Sequence, residues 1–191
     1  MAGKQAKILS RRQLEAALQA VRRGRHSERD RVIVLLSAKA GLRAGEIAAL
    51  TWSMVLTPTR ELATAIELQD RAAKKRSGRS IPVHPDLRRA LLQLARKTGT
   101  KGHVVKSERG PAMTANSVVN WFNVLYRGLG FVGCSSHSGR RTFITRAARL
   151  VARTGGSLRD VQKLAGHRSI SQTQAYIDAD AFAQRRLVAL I

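Results

Sequence analysis

The stretch LAGHRSISQTQAYI, residues 164–177, ends one helical run at Gly166, places His167 directly after it, and sets Tyr176 nine residues further on. The helix before it is expected to begin at Ser157, with Asp160 three residues later, and the helix after it, over residues 171–177, carries the tyrosine. Upstream, HSGRR (137–141) opens another helix with His137 and Arg140 three apart, so both face one site. Nearer the N-terminus, KKRSGRSIPV (74–83) reads as a basic turn feeding a strand. GLRAGEI (41–47) sets Arg43 at a helix start, with Glu46 on the same face. One tyrosine accompanied by several cationic or proton-donating side chains suits chemistry on a phosphodiester. Planar arginines neutralise the charge that builds on a phosphorane-like transition state, and a tyrosine hydroxyl can attack phosphorus and hold it covalently.

Composition agrees with an anionic partner. The chain of 191 residues has room for one sizeable core and is too short for two ordinary domains. Its 35 Lys and Arg face 12 acidic residues, a net charge of +23, more than solubility requires. The basic residues are spread through helical segments instead of gathered in a tail, which points to a folded basic surface. A ribosomal protein would carry similar charge, so charge alone says nucleic acid and not which kind. The single Cys134 excludes an internal disulfide, and no CxxC or HxxxH spacing suggests a zinc site. No run approaches the ~20 apolar residues of a membrane span, so the expected location is cytoplasmic.

The hydrophobic pattern is mostly helical. Ser10 with Gln13 reads as a capping box, followed by Leu14, Ala17, Leu18 and Val21 at helical spacing. A second helix is expected over 28–39, stopping at Gly41, and a short one over 43–50. Strands are expected over 65–68 and 79–83, joined by the basic turn. Pro85 opens a helix with the stripe Leu87, Ala90, Leu91, Leu94 and Ala95. Another starts at Thr114 or Asn116, with Val118, Phe122, Leu125 and Leu129 inward. Residues 138–153 and 181–190 complete the set. The expected class is mainly α with a small antiparallel β-sheet (α+β), in one domain over 1–191 with its core in 10–180.

The order Arg43, Lys74, His137, Arg140, His167, Tyr176, in these settings, resembles the tyrosine recombinase (phage integrase) family from about Ser10 to the end of the chain. The resemblance implies that Arg43 and Arg140 bind the scissile phosphate and that Glu46 buttresses Arg43. Lys74, eight residues before Pro82, would protonate the leaving 5′ oxygen, with Lys75 as the alternate if the turn is one residue longer. Lys75, Arg76, Arg79 and Arg141 would contact DNA. His137 would assist proton transfer near the nucleophile, and His167 would hydrogen-bond a non-bridging phosphate oxygen. The GHxSIxxTxxY layout makes Tyr176 the nucleophile. Tyr126, the only other tyrosine, reads as a packing residue with its hydroxyl in water. Two positions depart from the family: Gly139 replaces the usual leucine, and Arg141 the usual histidine. They bear on local packing more than on chemistry.

The same resemblance implies cleavage and rejoining of double-stranded DNA through a 3′-phosphotyrosine, with no metal, cofactor or ATP. It further implies a monomer in free solution and a tetramer on DNA, with accessory DNA-bending proteins as partners. The origin would be bacterial or phage, and the protein nucleoid-associated. Residues 181–191 would form a C-terminal helix docking on a neighbouring protomer. Only 42 residues precede Arg43, where the family commonly has a helical core-binding domain, so the expectation is a catalytic domain standing alone. Two other readings remain: a type IB topoisomerase-like enzyme, and a non-catalytic DNA-binding or regulatory protein of the same fold.

Overall fold

The computed structural model describes residues 6–70, 72–73, 78–108 and 110–176. In chain order the elements are α1 (Arg11–Arg22), α2 (Ser27–Lys39), α3 (Ala44–Ala49), β1 (Ala65–Leu68), β2 (Arg79–Pro82), α4 (Pro85–Thr98), α5 (Ala115–Gly128), α6 (Ser138–Leu150), α7 (Leu158–Ala165) and α8 (Ile170–Gln174). The expected class is what the structure has: helices with one two-stranded antiparallel sheet. Lys74, Lys75, Arg76 and the whole of 181–191 lie outside the described residues.

Local chemistry starts each helix where the sequence places a cap. The Ser10 hydroxyl accepts from the Gln13 amide at 3.2 Å, and the Ser10 amide donates to Gln13 Oε1 at 2.9 Å. Thr114 caps α5 in a similar way, accepting from the Ser117 amide at 3.1 Å. α2 has no polar side over its later turns, because every residue from Val32 to Ala38 is buried. A helix buried all round is a central one, and α1, α4 and α6 pack around it. The hairpin pairs Ala65 with Pro82 and Leu68 with Arg79, turning Ile66, Leu68 and Ile81 into the same core. A smaller cluster, Ile144, Val161 and Ala165, joins α6 to α7 and carries Tyr176 on its flank.

Several boundaries differ from expectation. The long helix expected over 138–153 ends at Leu150 and continues as a 3₁₀ turn, Val151–Thr154. Tyr176 lies just beyond α8 in a turn, its amide donating to the Thr173 carbonyl at 3.1 Å. The inward face of α5 is Val118, Phe122 and Tyr126, with Leu125 only half-buried, and the rings of Phe122 and Phe131 both stack with that of Tyr126. The 3₁₀ turn at Trp52–Met54 and the bridges Thr51–His103 and Leu56–Leu62 have no periodic sequence signal, and the first bridge pairs residues fifty-two positions apart.

Gly139 answers the packing question its position raises. α6 crosses α2 so closely that a Cβ on Gly139 would lie 2.3 Å from Ser37 Oγ and 2.9 Å from Ser37 Cβ. Gly139→Ala is therefore expected to cost about 1–3 kcal/mol in urea denaturation, as overpacking does. Adding Ser37→Gly should recover part of that loss, a coupling read from the double-mutant cycle. Strict additivity of the two changes would show that the crossing is not the cause.

Candidate functional site

Arg43 is the residue that begins α3, and its position is set from both ends. Its amide donates to Glu46 Oε2 at 2.9 Å and its Nη1 to Glu46 Oε1 at 2.7 Å. Glu46 is 1% exposed. A second arginine grips the same carboxylate: Arg79 Nη1 lies 3.1 Å from Oε1 and Nη2 3.0 Å from Oε2. Burial alone would push the Glu46 carboxyl up, but the hydrogen bonds and charge of Arg79, followed by those of Arg43, hold it below the usual carboxylate range. Arg79 also donates from Nε to the Leu164 carbonyl at 2.9 Å, so β2 is tied to the end of α7. Its side chain is 6% exposed, an interior clamp at a position where the resemblance implies a DNA contact.

Arg140 closes the other side. Its Nη1 donates to the Gly41 carbonyl at 2.6 Å and its Nη2 to the Ala165 carbonyl at 2.7 Å. Gly41 can present that carbonyl because it sits at φ +66, where a Cβ would run into the Phe143 ring at 2.4 Å. A guanidinium has five N–H donors, so two carbonyls fix its plane and leave donors for a ligand. Burial, with the nearby charge of Arg43, lowers the Arg140 pKa to about 10, and it stays a cation at neutral pH.

His167 follows the end of α7, with Nδ1 3.0 Å from Thr173 Oγ1. Burial and then the charges of Arg140, Arg43 and Arg79 depress its pKa to about 4, so the ring is neutral near pH 7. The Tyr176 ring stacks on it, with centroids 5.5 Å apart and planes 25° apart. The Arg141 guanidinium carbon lies 5.9 Å from the Tyr176 ring centroid. His137, exposed at the start of α6, lines a cleft of about 200 Å³ with Arg140, Arg141 and Tyr176. A neighbouring concavity of about 320 Å³ is bounded by Arg79, Lys163, His167 and Arg168.

The fold thus brings Arg43, Glu46, His137, Arg140, Arg141, His167 and Tyr176 to one region, from segments far apart in the chain. Tyr126 does not join them. It is 1% exposed, leaving almost none of it to water, and burial pushes its phenol well above the ordinary range. Sequence reading missed three supports: the grip of Arg79 on Glu46, the hold of Thr173 on His167, and the two carbonyls on Arg140. Only the arginine and threonine are visible as residue types, and carbonyl acceptors leave no sequence trace. Among the described residues, no three His, Cys, Asp or Glu side chains are grouped to hold a metal ion. No described helix is long and apolar enough to cross a membrane.

The chain matches the phage integrase family over residues 7–182. No curated protein matches it. Among solved structures, the Tn1549 transposon integrase in complex with a circular intermediate DNA is 19% identical at a TM-score of 0.73, covering 100% of this chain and 67% of that one. XerA recombinase is 22% identical at 0.76, covering 100% and 65%. A lambda integrase dimer bound to a core site is 18% identical at 0.69, covering 91% and 49%. The chain therefore spans about two thirds or less of the length of these structures.

The depressed His167 pKa sets a pH dependence. Its folded value of about 4 lies below the ~6.5 of an unfolded histidine. Between those values the unfolded chain binds more protons, so stability falls as pH drops from about 6.5 toward 4. Denaturant midpoints at pH 7 and pH 5 should separate more in the native chain than in His167→Gln. Equal separations would mean that His167 is not held neutral by the site.

Proposed function

The chain belongs to the phage integrase family, and we propose that it is a site-specific DNA recombinase that breaks and rejoins strands through Tyr176. The observation that carries this reading is the stacked pair His167–Tyr176 beside a cleft that Arg140 and Arg141 line. In the proposed step the Tyr176 oxygen bonds to phosphorus as the bond to the 5′ oxygen breaks, leaving a 3′-phosphotyrosine and a free 5′ hydroxyl. The phenol proton leaves as attack proceeds, and His137, exposed in the same cleft, is proposed to accept it. Arg43 and Arg140 neutralise the non-bridging oxygens, a role worth ~10²–10³ in rate per donor in comparable oxyanion sites. His167, neutral, supplies a hydrogen bond there without adding charge. Lys74 is proposed to protonate the leaving oxygen, with Lys75 as alternate, and Lys75, Arg76 and Arg141 to contact the backbone. Arg79 acts through Glu46, positioning Arg43.

Because the ester conserves the energy of the broken bond, a 5′ hydroxyl from another strand reverses the step without ATP. Clustered cations stand where a metal would otherwise neutralise the phosphate. Inversion and integration both use this chemistry, and both end on rejoined duplex DNA.

On a nicked suicide duplex, the native chain should form a covalent protein–DNA adduct that survives excess EDTA. Tyr176→Phe should bind the duplex nearly as well and form no adduct, while Tyr126→Phe should retain it. An adduct in Tyr176→Phe, or cleavage that requires magnesium, overturns the reading. No adduct from the native chain, with binding intact, favours a DNA-binding regulator.

We further propose that the DNA-bound form is a tetramer, linked by residues 181–191 of each protomer docking on the next. A contact of this head-to-tail kind closes only when DNA aligns the subunits. Deleting 181–191 should spare single-site binding and abolish higher-order bands in gel shifts. An unchanged ladder from a folded truncation would refute the docking.

A further inference from the structure

The end of α2 remote from Arg43 holds a second cationic site. Arg22 from the last turn of α1, Arg31 from α2 and Arg96 from α4 line a concavity of about 410 Å³, together with Ser27, Glu28 and Gln93. α2 and α4 run antiparallel, since Lys39 lies 3.3 Å from His84 at one end and Lys97 2.8 Å from Glu28 at the other. A helix rises ~1.5 Å per residue, so Arg31 stands roughly 15 Å along α2 from the carbonyl that holds Arg140. The concavity and the Tyr176 cleft therefore lie toward opposite ends of the central helix.

The charges in it are left without a counterpart. Glu28, the one acid lining it, is committed to Lys97 and to the Ser27 hydroxyl at 3.0 Å. Asp30, next along α2, is held by Arg29 at 2.8 Å. Among the described residues, no carboxylate pairs with Arg22, Arg31 or Arg96. Arg31 Nε is moreover buried with no acceptor, although buried N–H groups in folded proteins almost always find one.

We infer that this concavity is a second anion site, which takes a backbone phosphate of a DNA segment other than the one at Tyr176. Three guanidinium groups match the oxygens of a phosphodiester through paired N–H donors. Arg23, exposed beside Arg22, carries the positive surface past the rim, as an extended polyanion needs and a small acid does not. The chain's +23 charge favours nucleic acid over an acidic protein. Holding a second duplex would bring two recombining segments together on one chain. The site goes beyond the strand-exchange reading and does not rest on Tyr176.

Native mass spectrometry of the full chain with a short duplex of arbitrary sequence tests this. The native chain should show species with one and with two duplexes. Replacing Arg22, Arg31 and Arg96 together with Gln should weaken the second duplex on the order of 10-fold or more, because three phosphate contacts are lost. It should leave the first duplex and the suicide-substrate adduct unchanged. The triple Lys variant, which keeps the charge, should retain much of the second binding. Circular dichroism of each variant confirms folding, and Arg96→Glu alone provides a milder change of the same sign. A second duplex that persists in the folded Gln variant, or never appears on the native chain, overturns the proposal. Capture of an acidic peptide but no second duplex would also overturn it, in favour of a protein partner. Because this count is made without strand cleavage, it stands or falls separately from the adduct.

Discussion

A single buried carboxylate, that of Glu46, sets the geometry of everything around it. Leaving such a charge unpaired inside a fold is prohibitive, so its surroundings must deliver cations and donors to fixed points. They do: Arg43 comes from the start of the same short helix and Arg79 from a strand on the far side of the hairpin. Arg79 then reaches the Leu164 carbonyl, and Arg140 spans from Gly41 to Ala165. Segments separated by more than a hundred residues are closed into one ring by these bonds. Each arginine plane is fixed before any ligand arrives, which is what preorganised electrostatic stabilisation requires.

The ring carries more positive charge than Glu46 cancels. Arg43 and Arg79 share one carboxylate while Arg140 is held by carbonyls, and burial first, then this surplus charge, lowers the pKa values of Arg140 and His167. A bound phosphodiester would oppose the surplus and relieve the repulsion, so ligand charge and fold charge are complementary. The cost of gathering these cations falls on the empty state and favours occupancy.

Much of the fold was legible in the sequence because its determinants are local. The Ser10–Gln13 cap, the Leu87–Leu94 stripe and the hairpin strands each declare themselves within one or two turns of chain. The residues gathered at the site were legible for another reason: they stand in short motifs whose order resembles a known family. What escaped was non-local. Arg79 reads in the sequence as the first residue of a strand and, by the resemblance, as a DNA contact, and only the folded chain shows its side chain turned inward onto Glu46. The same holds for Ser37 against Gly139, a contact between helices a hundred residues apart. Backbone carbonyls, which orient Arg140, carry no residue identity at all.

The two departures from the family pattern follow one logic. Gly139 lets α6 lie tightly against α2, the helix whose end presents the Gly41 carbonyl to Arg140. Arg141, one residue past Arg140, puts a guanidinium where the family commonly has a titratable histidine, and that guanidinium stands near the Tyr176 ring. Arg140 is charged below about 10 and His167 neutral above about 4. These two groups therefore hold one charge state across the whole neutral range. With arginine at position 141, His137 is the exposed imidazole lining the cleft.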